Sequence, residues 1–88
     1  PSVIALLPNY PNPFNPWTTV PFTLVESAQT SVTVYNLRGE VVSTLISGRL
    51  GAGYHETRWN ASDVSSGVYL IKLESNGISR TRKIMVLK

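Results

Sequence analysis

Short runs in which apolar and polar residues alternate constrain this chain more than any other feature of its sequence. Val20, Phe22 and Leu24 alternate with Pro21 and Thr23, and side chains with a period of two point to opposite faces of a β-strand. Similar short runs recur at residues 31–35, 40–46, 55–59, 67–73 and 80–87. Because no window carries apolar residues at helical spacing, the sequence predicts an all-β fold of about seven short strands.

Turn residues separate these runs at intervals of about ten residues, which is typical of an antiparallel sandwich or barrel. Asn76-Gly77 is the strongest short hairpin signal in the chain, and residues 36–39 end in a second glycine-containing turn. Further breaks are expected at Gly48, Gly51, Gly53 and the polar loop 60–66. The strands are therefore expected to pair with neighbours across short connections.

The last two strands favour a sandwich over a barrel. In the segment 67–73, Val68 and Leu70 form one face and Tyr69 and Ile71 form the other, so both faces are apolar. A strand of this kind is usually central in its sheet, with other protein material on its outer face. We therefore expect an antiparallel β-sandwich in which this strand is covered on both sides.

The N-terminal stretch has a different composition, because all six prolines lie within the first 21 residues. Proline lacks the backbone donor and fixes φ, so residues 8–16 cannot be a helix or a central strand. We expect residues 1–16 to be an extended lead-in that is part of the domain and is pinned to it by Tyr10, Phe14 and Trp17. Pro21 predicts that the first strand lies at an edge or contains a bulge.

Length and composition set the class of protein. A chain of 88 residues with 42% apolar residues corresponds to one small globular domain over residues 1–88, and Pro1 suggests that a longer parent protein precedes it. The absence of cysteine excludes disulfides and cysteine-based sites. The net charge of +3 is concentrated near the C-terminus without stacking aromatics, which argues against nucleic-acid binding. We expect a monomer.

Few residues are candidates for catalysis. His55 is the one histidine; it could act as a base beside a Ser or Thr, but it lies in mid-strand in phase with Trp59, and no nucleophile-elbow sequence is present. The five carboxylates are scattered over different segments, which argues against a glycosidase pair. Asn60, Ser62 and Asp63 could contribute to a calcium loop, although we interpret them as a polar turn in which Asp63 bonds its own backbone. We predict no enzymatic activity, no cofactor and no metal.

Aromatic side chains leave one binding alternative open. Trp59 and Tyr69 are expected in the core, whereas Trp17 and Tyr54 are the expected exposed aromatics. Two exposed rings could form a stacking platform for a sugar. The domain could then be an accessory carbohydrate-binding module of a secreted polysaccharide-degrading enzyme, or an immunoglobulin-like spacer within it.

Six short motifs, in one order along the chain, resemble the type A C-terminal sorting domain carried by cargo of the type IX (Por) secretion system. The related immunoglobulin-like domain of flagellar hook-capping proteins is similar to a lesser degree. The motifs are Asn-Tyr-Pro-Asn-Pro-Phe-Asn-Pro at 9–16, Val-Tyr-Asn-Leu-Arg-Gly at 34–39, Ala-Gly-Tyr-His at 52–55, Trp-Asn-Ala-Ser at 59–62, Ser-Gly-Val-Tyr at 66–69 and Arg-Lys-Ile-Met-Val-Leu-Lys at 82–88. The resemblance covers nearly the whole chain and implies an immunoglobulin-like sandwich.

The resemblance also implies a function and a set of recognition residues. Such domains direct a secreted cargo across the outer membrane of Gram-negative bacteria, after export to the periplasm, to the medium or the cell surface. The implied partners are the outer-membrane translocon, a sortase-like enzyme and the parent cargo protein on the N-terminal side. Gly67 and Tyr69 match the family's Gly-x-Tyr motif, and Lys83 and Lys88 match the lysines that frame its last strand.

Two departures from the family's pattern lie in the first strand. Trp17 replaces a small polar residue, and Pro21 replaces a β-branched residue, which puts the regularity of that strand in doubt. At the other end, a terminal strand with unpaired edge groups and flanking lysines could be recognised by strand addition and by charge. Gly67 and Tyr69 could also act only by holding the fold.

Overall fold

The computed structural model describes residues 4–88, and it places seven β-strands and no helix in them. None of these residues therefore forms a membrane-spanning helix. The strands are β1 (Ala5–Leu6), β2 (Trp17–Leu24), β3 (Ala28–Tyr35), β4 (Val41–Leu50), β5 (Gly53–Asn60), β6 (Gly67–Ser75) and β7 (Ile78–Val86). The predicted all-β class is confirmed.

The strands form two antiparallel sheets. One has the order β1-β2-β5, and the other has the order β4-β3-β6-β7. Relative to an immunoglobulin constant domain, the fourth strand has moved to the sheet that contains the third. The predicted immunoglobulin-like β-sandwich is therefore confirmed.

The core lies between the sheets and is built from the inward face of every strand. Val20, Phe22 and Leu24 are all buried, as their alternation predicts. At one end of the sandwich, the Trp59 ring packs edge-on between two other rings, with centroid distances of 5.6 Å to Phe14 and 5.5 Å to Tyr69. This aromatic cluster joins the lead-in to both sheets.

The expectation that Pro21 places the first strand at an edge, or in a bulge, is wrong. The strand β2 is central in its sheet, and its pairing with β5 continues without interruption from Trp17 to Leu24. The carbonyl of Pro21 accepts a hydrogen bond from Leu7 N–H at 3.0 Å, so the ring nitrogen faces the lead-in and not β5. Proline is tolerated here because its missing N–H group would not have pointed toward β5, so no hydrogen bond between β2 and β5 is lost.

The lead-in is more structured than its prolines suggest. Its first part forms β1, which pairs with β2 through Leu6 and Phe22. The chain then runs along β2, where Tyr10 and Thr19 exchange two backbone hydrogen bonds, and crosses to β7 at Phe14. Residues 1–3 lie outside the described part of the chain, so the predicted boundary at residue 1 stays a prediction.

The strand β6 is central, between β3 and β7, as its apolar sequence predicts. The expectation that both faces are covered is wrong. Tyr69 and Ile71 are buried, whereas Val68 and Leu70 on the outer face are only half-buried. No strand of the described chain lies over that face.

The hairpin between β6 and β7 has the predicted turn. Asn76 and Gly77 both have positive φ, at 52° and 79°, which is the requirement of a type I′ turn. The strand β4 differs from expectation, since it continues to Leu50 through Gly48. The break therefore comes only at Gly51.

Candidate functional site

The strand β7 is the edge strand of the four-stranded sheet, and its two halves differ. The side chains of residues 78–83 are all exposed, whereas Ile84 and Val86 are buried. The residues with odd numbers direct their N–H and C=O groups away from β6, as the bonds of Met85 and Leu87 to the lead-in show. We call residues 79–83 the open edge and residues 84–88 the capped end.

The capped end is bound by the lead-in. Phe14 pairs with Val86 in a parallel bridge, donating its N–H to Met85 O at 3.2 Å and accepting from Leu87 N–H at 3.1 Å. The side-chain oxygen of Asn12 accepts from Met85 N–H at 3.1 Å. The expectation that the terminal strand has unpaired edge groups is therefore wrong for this half, because the Asn-Pro segment supplies the missing partner.

Lys88 is turned toward the chain itself. Its ammonium donates to the carbonyls of Ser62, at 2.8 Å, and Val64. Its backbone N–H donates to the hydroxyl of Ser66 at 2.9 Å. The side chain thus ties the end of the chain to the loop that connects β5 to β6.

The open edge carries Lys83, and its backbone has fewer partners, although the Arg82 side chain donates to the Leu6 carbonyl at 2.7 Å. Among residues 4–88, no hydrogen bond is made by the outward N–H of Ser79, Thr81 or Lys83. Only the Ser79 carbonyl is engaged, by the Arg80 guanidinium at 2.9 Å. These free groups form a short template for an added strand.

Gly67 and Tyr69 lie opposite the capped end, in register with Val86 and Ile84. Gly67 has φ of 150°, which a residue with a side chain rarely adopts. The buried Tyr69 donates its hydroxyl to the carbonyl of Ser65 at 2.8 Å. This bond to the backbone four residues upstream is a tyrosine corner, a device of immunoglobulin-like sandwiches. Both residues hold the start of β6.

Comparison with known families adds to this geometry. The family described as "Secretion system C-terminal sorting domain" matches residues 9–87. The chain belongs to this family. The domain is therefore a sorting signal of type IX secretion, and it marks a secreted or cell-surface cargo protein. No curated protein and no solved structure gives a significant match.

The sorting domain does not bring its two predicted stacking aromatics together. Trp17 and Tyr54 are both exposed, as predicted. They lie at opposite ends of the β2–β5 pair, where Trp17 is in register with Asn60 and Tyr54 with Thr23. The Arg58 guanidinium also stands 4.4 Å from the centre of the Trp17 ring. A shared sugar platform is therefore not formed by these two rings.

Tyr54 instead belongs to a clamp on the lead-in. The hydroxyls of Tyr10 and Tyr54 both donate to the Glu56 carboxylate, at 2.7 and 2.8 Å. These two bonds hold the pKa of Glu56 below its ordinary value. The bond to Glu56 raises the pKa of Tyr10 and raises that of Tyr54 to about 12. The clamp fixes the lead-in on β5.

The residues considered for catalysis or metal binding make structural contacts within the domain. A ring nitrogen of His55 lies 2.7 Å from the Gly51 carbonyl, and the ring stacks on Phe22 at a centroid distance of 5.3 Å. The polar turn is closed by Asn60 and not by Asp63, since the Asn60 side-chain oxygen accepts from the N–H of Ser62 at 2.9 Å. Among residues 4–88, no three His, Asp or Glu side chains are grouped as metal ligands.

Sequence reasoning missed the residues that close the capped end. Asn12 and Phe14 stand in a motif that indicated an ordered segment, but nothing in the motif says which strand it binds. Arg82 lies in the basic C-terminal segment, and its side chain donates to the Leu6 carbonyl at 2.7 Å and so links the two sheets. These contacts join residues more than 70 positions apart.

Proposed function

We propose that this sorting domain delivers a cargo protein, joined on its N-terminal side, to the outer-membrane translocon of a Gram-negative envelope. In this proposal the domain is a non-catalytic recognition module that passes from the periplasm to the translocon. A sortase-like enzyme then removes it and releases the cargo or attaches it to the surface. Family membership supports the general route, and the geometry of β7 supports the mode of recognition.

The single observation that carries this mode is the unpaired open edge. Three N–H groups and the carbonyls of Thr81 and Lys83 face outward without a partner in the described chain. An extended segment of a receptor can add to such an edge as a further strand, with main-chain hydrogen bonds supplying the affinity. The capped end cannot accept a strand in the same way, because Phe14 occupies its edge.

Charge restricts which strand can add. The open edge carries Arg80, Arg82 and Lys83, so an identical edge from a second copy would be repelled. Positive side chains on an edge strand prevent edge-to-edge aggregation for this reason. A receptor strand with carboxylates would be attracted by the same charges.

Of the four residues implied by the family resemblance, we therefore propose Lys83 as the one that contacts the receptor. Gly67 and Tyr69 act by holding β6, and Lys88 acts by holding the end of β7. Their substitution is expected to reduce sorting only as far as it reduces folding. Lys83 makes no hydrogen bond or ion pair within residues 4–88, so its substitution can change recognition without changing the fold.

The test is a passenger protein fused in front of residues 1–88 in a host with type IX secretion, with the exported fraction measured. The wild-type fusion should be exported, and the passenger alone should stay in the cell. Thr81→Pro removes one outward N–H, whereas Thr81→Ala keeps it. The proline variant should be exported about tenfold less than the alanine variant, because it loses a main-chain bond and admits the added strand poorly.

Two results would contradict the proposal. Export of the passenger without the domain would refute its role as a sorting module. Equal export of the two Thr81 variants, with equal thermal unfolding of the purified domains, would refute strand addition at the open edge.

A further inference from the structure

An apolar stripe crosses the outer face of the four-stranded sheet. Tyr35 at the end of β3 is in register with Val41 of β4 on one side and Leu70 of β6 on the other. Val68 and Met85 form the adjacent pair between β6 and β7. We call these five residues the outer stripe.

The outer stripe is open on the described chain. Val41 is 60% exposed and Met85 is 42% exposed, while Tyr35, Val68 and Leu70 are half-buried by their neighbours. The other sheet differs, because the Tyr10 side chain of the lead-in reaches across β2 on its outer face to Glu56 of β5. Contiguous exposed apolar side chains on a small soluble domain mark an interaction site.

Two lysines border the outer stripe on the same face. Lys83 is in register with Leu70, and Lys72 is the next outward residue of β6, in register with Thr81. Glu74 is the exposed carboxylate on this face of β6, and it is the next outward residue after Lys72, further from the stripe. The surface is therefore apolar with a positive border.

We infer that the outer stripe is a docking surface for a protein of the secretion machinery that presents a flat apolar patch bordered by Asp or Glu side chains. Complementary charge selects such a partner and orients it on the domain. The inference rests on the proposed function for the location of that partner. It adds a second contact beside the open edge, with Lys83 at the junction of the two.

Two other occupants fit the surface less well. A second copy would carry the same positive border and not an acidic one, so its charges would be a poor match for Lys72 and Lys83. A lipid surface requires apolar side chains that protrude into it. Here Tyr35, Val68 and Leu70 are half-buried in a sheet, and such a face suits packing against another flat protein surface.

The experiment uses the passenger fusion with a double substitution in the stripe, Val41→Thr with Leu70→Thr. The matched control is Ser31→Thr with Ser47→Thr, a cross-strand pair on the same sheet face outside the stripe. Export of the stripe variant should fall about tenfold or more, as for loss of an apolar interface anchor, while the control stays within about twofold of wild type. A third variant, Lys72→Glu, should lower export several-fold because it reverses one border charge.

Each purified domain is first checked for folding by thermal unfolding, so that a loss of export at unchanged stability reports on the surface. Sedimentation should give a monomer, and vesicles of phosphatidylethanolamine and phosphatidylglycerol should not retain the domain. The inference is overturned if the folded stripe variant is exported like the control. It is also overturned if the wild-type domain forms a dimer, or binds the vesicles, and the stripe substitutions abolish that dimer or that binding. If the wild-type fusion itself stays in the cell, the proposed function fails and not this surface alone.

Discussion

The open edge and the first three residues of the capped end belong to β7, a strand of nine residues, yet the two segments have opposite surroundings. The capped end contributes two buried side chains to the core and is bound by the lead-in and by the loop after β5. The open edge contributes only exposed side chains and leaves the outward N–H groups of Ser79, Thr81 and Lys83 without partners in residues 4–88. The strand is thus held firmly by the chain at one end and left exposed at the other, where we propose that a receptor binds.

This difference changes the roles expected for the family's marked residues. Gly67 and Tyr69 lie opposite the capped end and Lys88 lies within it, and each makes a contact or adopts a φ that serves the fold. Only Lys83 lies in the open edge. Position near the last strand is therefore not enough to propose a recognition residue, and the contacts that its side chain makes within the domain must be considered as well.

The largest expected effect is a loss of stability at the capped end. Ile84→Ala removes a side chain that is 1% exposed and should lower the free energy of unfolding by about 2–5 kcal/mol. Thr81→Ala in the open edge should change it by about 0.5 kcal/mol or less. Urea unfolding of both purified variants measures the difference. Similar losses in the two would show that the halves of β7 are equally integrated in the fold.

A smaller effect is expected at the tyrosine corner. Tyr69→Phe keeps the ring against Trp59 and removes the hydrogen bond to Ser65, so stability should fall by about 1 kcal/mol. Export of the fused passenger should be retained wherever the domain stays folded. Loss of export at nearly unchanged stability would instead identify Tyr69 as a residue that the receptor contacts.

The smallest expected effect is a dependence of the capped end on pH. Glu56 has a lowered pKa in the folded state, so its contribution is present above the ordinary value of 4.5 and is lost as the pH falls below it. Tyr10 and Tyr54 have raised pKa values, so their contribution is present below the ordinary value of 10.0 and is lost as the pH rises further.

The clamp should therefore hold the lead-in between these limits, and the measurement is the amide protection factor of Leu87 at several pH values. In the wild type, the protection of Leu87 should decrease at pH values below 4.5, the ordinary pKa of Glu56. In Glu56→Gln, the protection should vary less with pH. Thr81 serves as the internal control, since its amide has no hydrogen-bond partner within residues 4–88. An unchanged Leu87 profile in the Glu56 variant would show that the clamp and the cap are independent.

The sequence was sufficient for the strand class and for the turn between β6 and β7. The alternation of Val20, Phe22 and Leu24 and the Asn76-Gly77 turn each depend on neighbouring residues, and the structure confirms both. The pairing of Phe14 with Val86 could not be predicted, because it depends on which distant edge the lead-in reaches. The partial exposure of the outer face of β6 was not predicted for a related reason. An apolar strand face can be buried by the same chain or by another protein, and the sequence of the strand does not distinguish the two.

The most direct test of the account compares the two framing lysines in the passenger fusion, with Lys83→Gln and Lys88→Gln measured for export and for thermal unfolding. Lys83→Gln should lower the exported fraction at an unchanged unfolding temperature, because the ammonium has no partner within the described chain. Lys88→Gln should lower the unfolding temperature through the loss of its bonds to Ser62 and Val64. Its export should fall only as far as the fraction of folded domain falls. Normal export of folded Lys83→Gln, together with failed export of Lys88→Gln at full stability, would contradict the division of β7 into a structural and a recognised half.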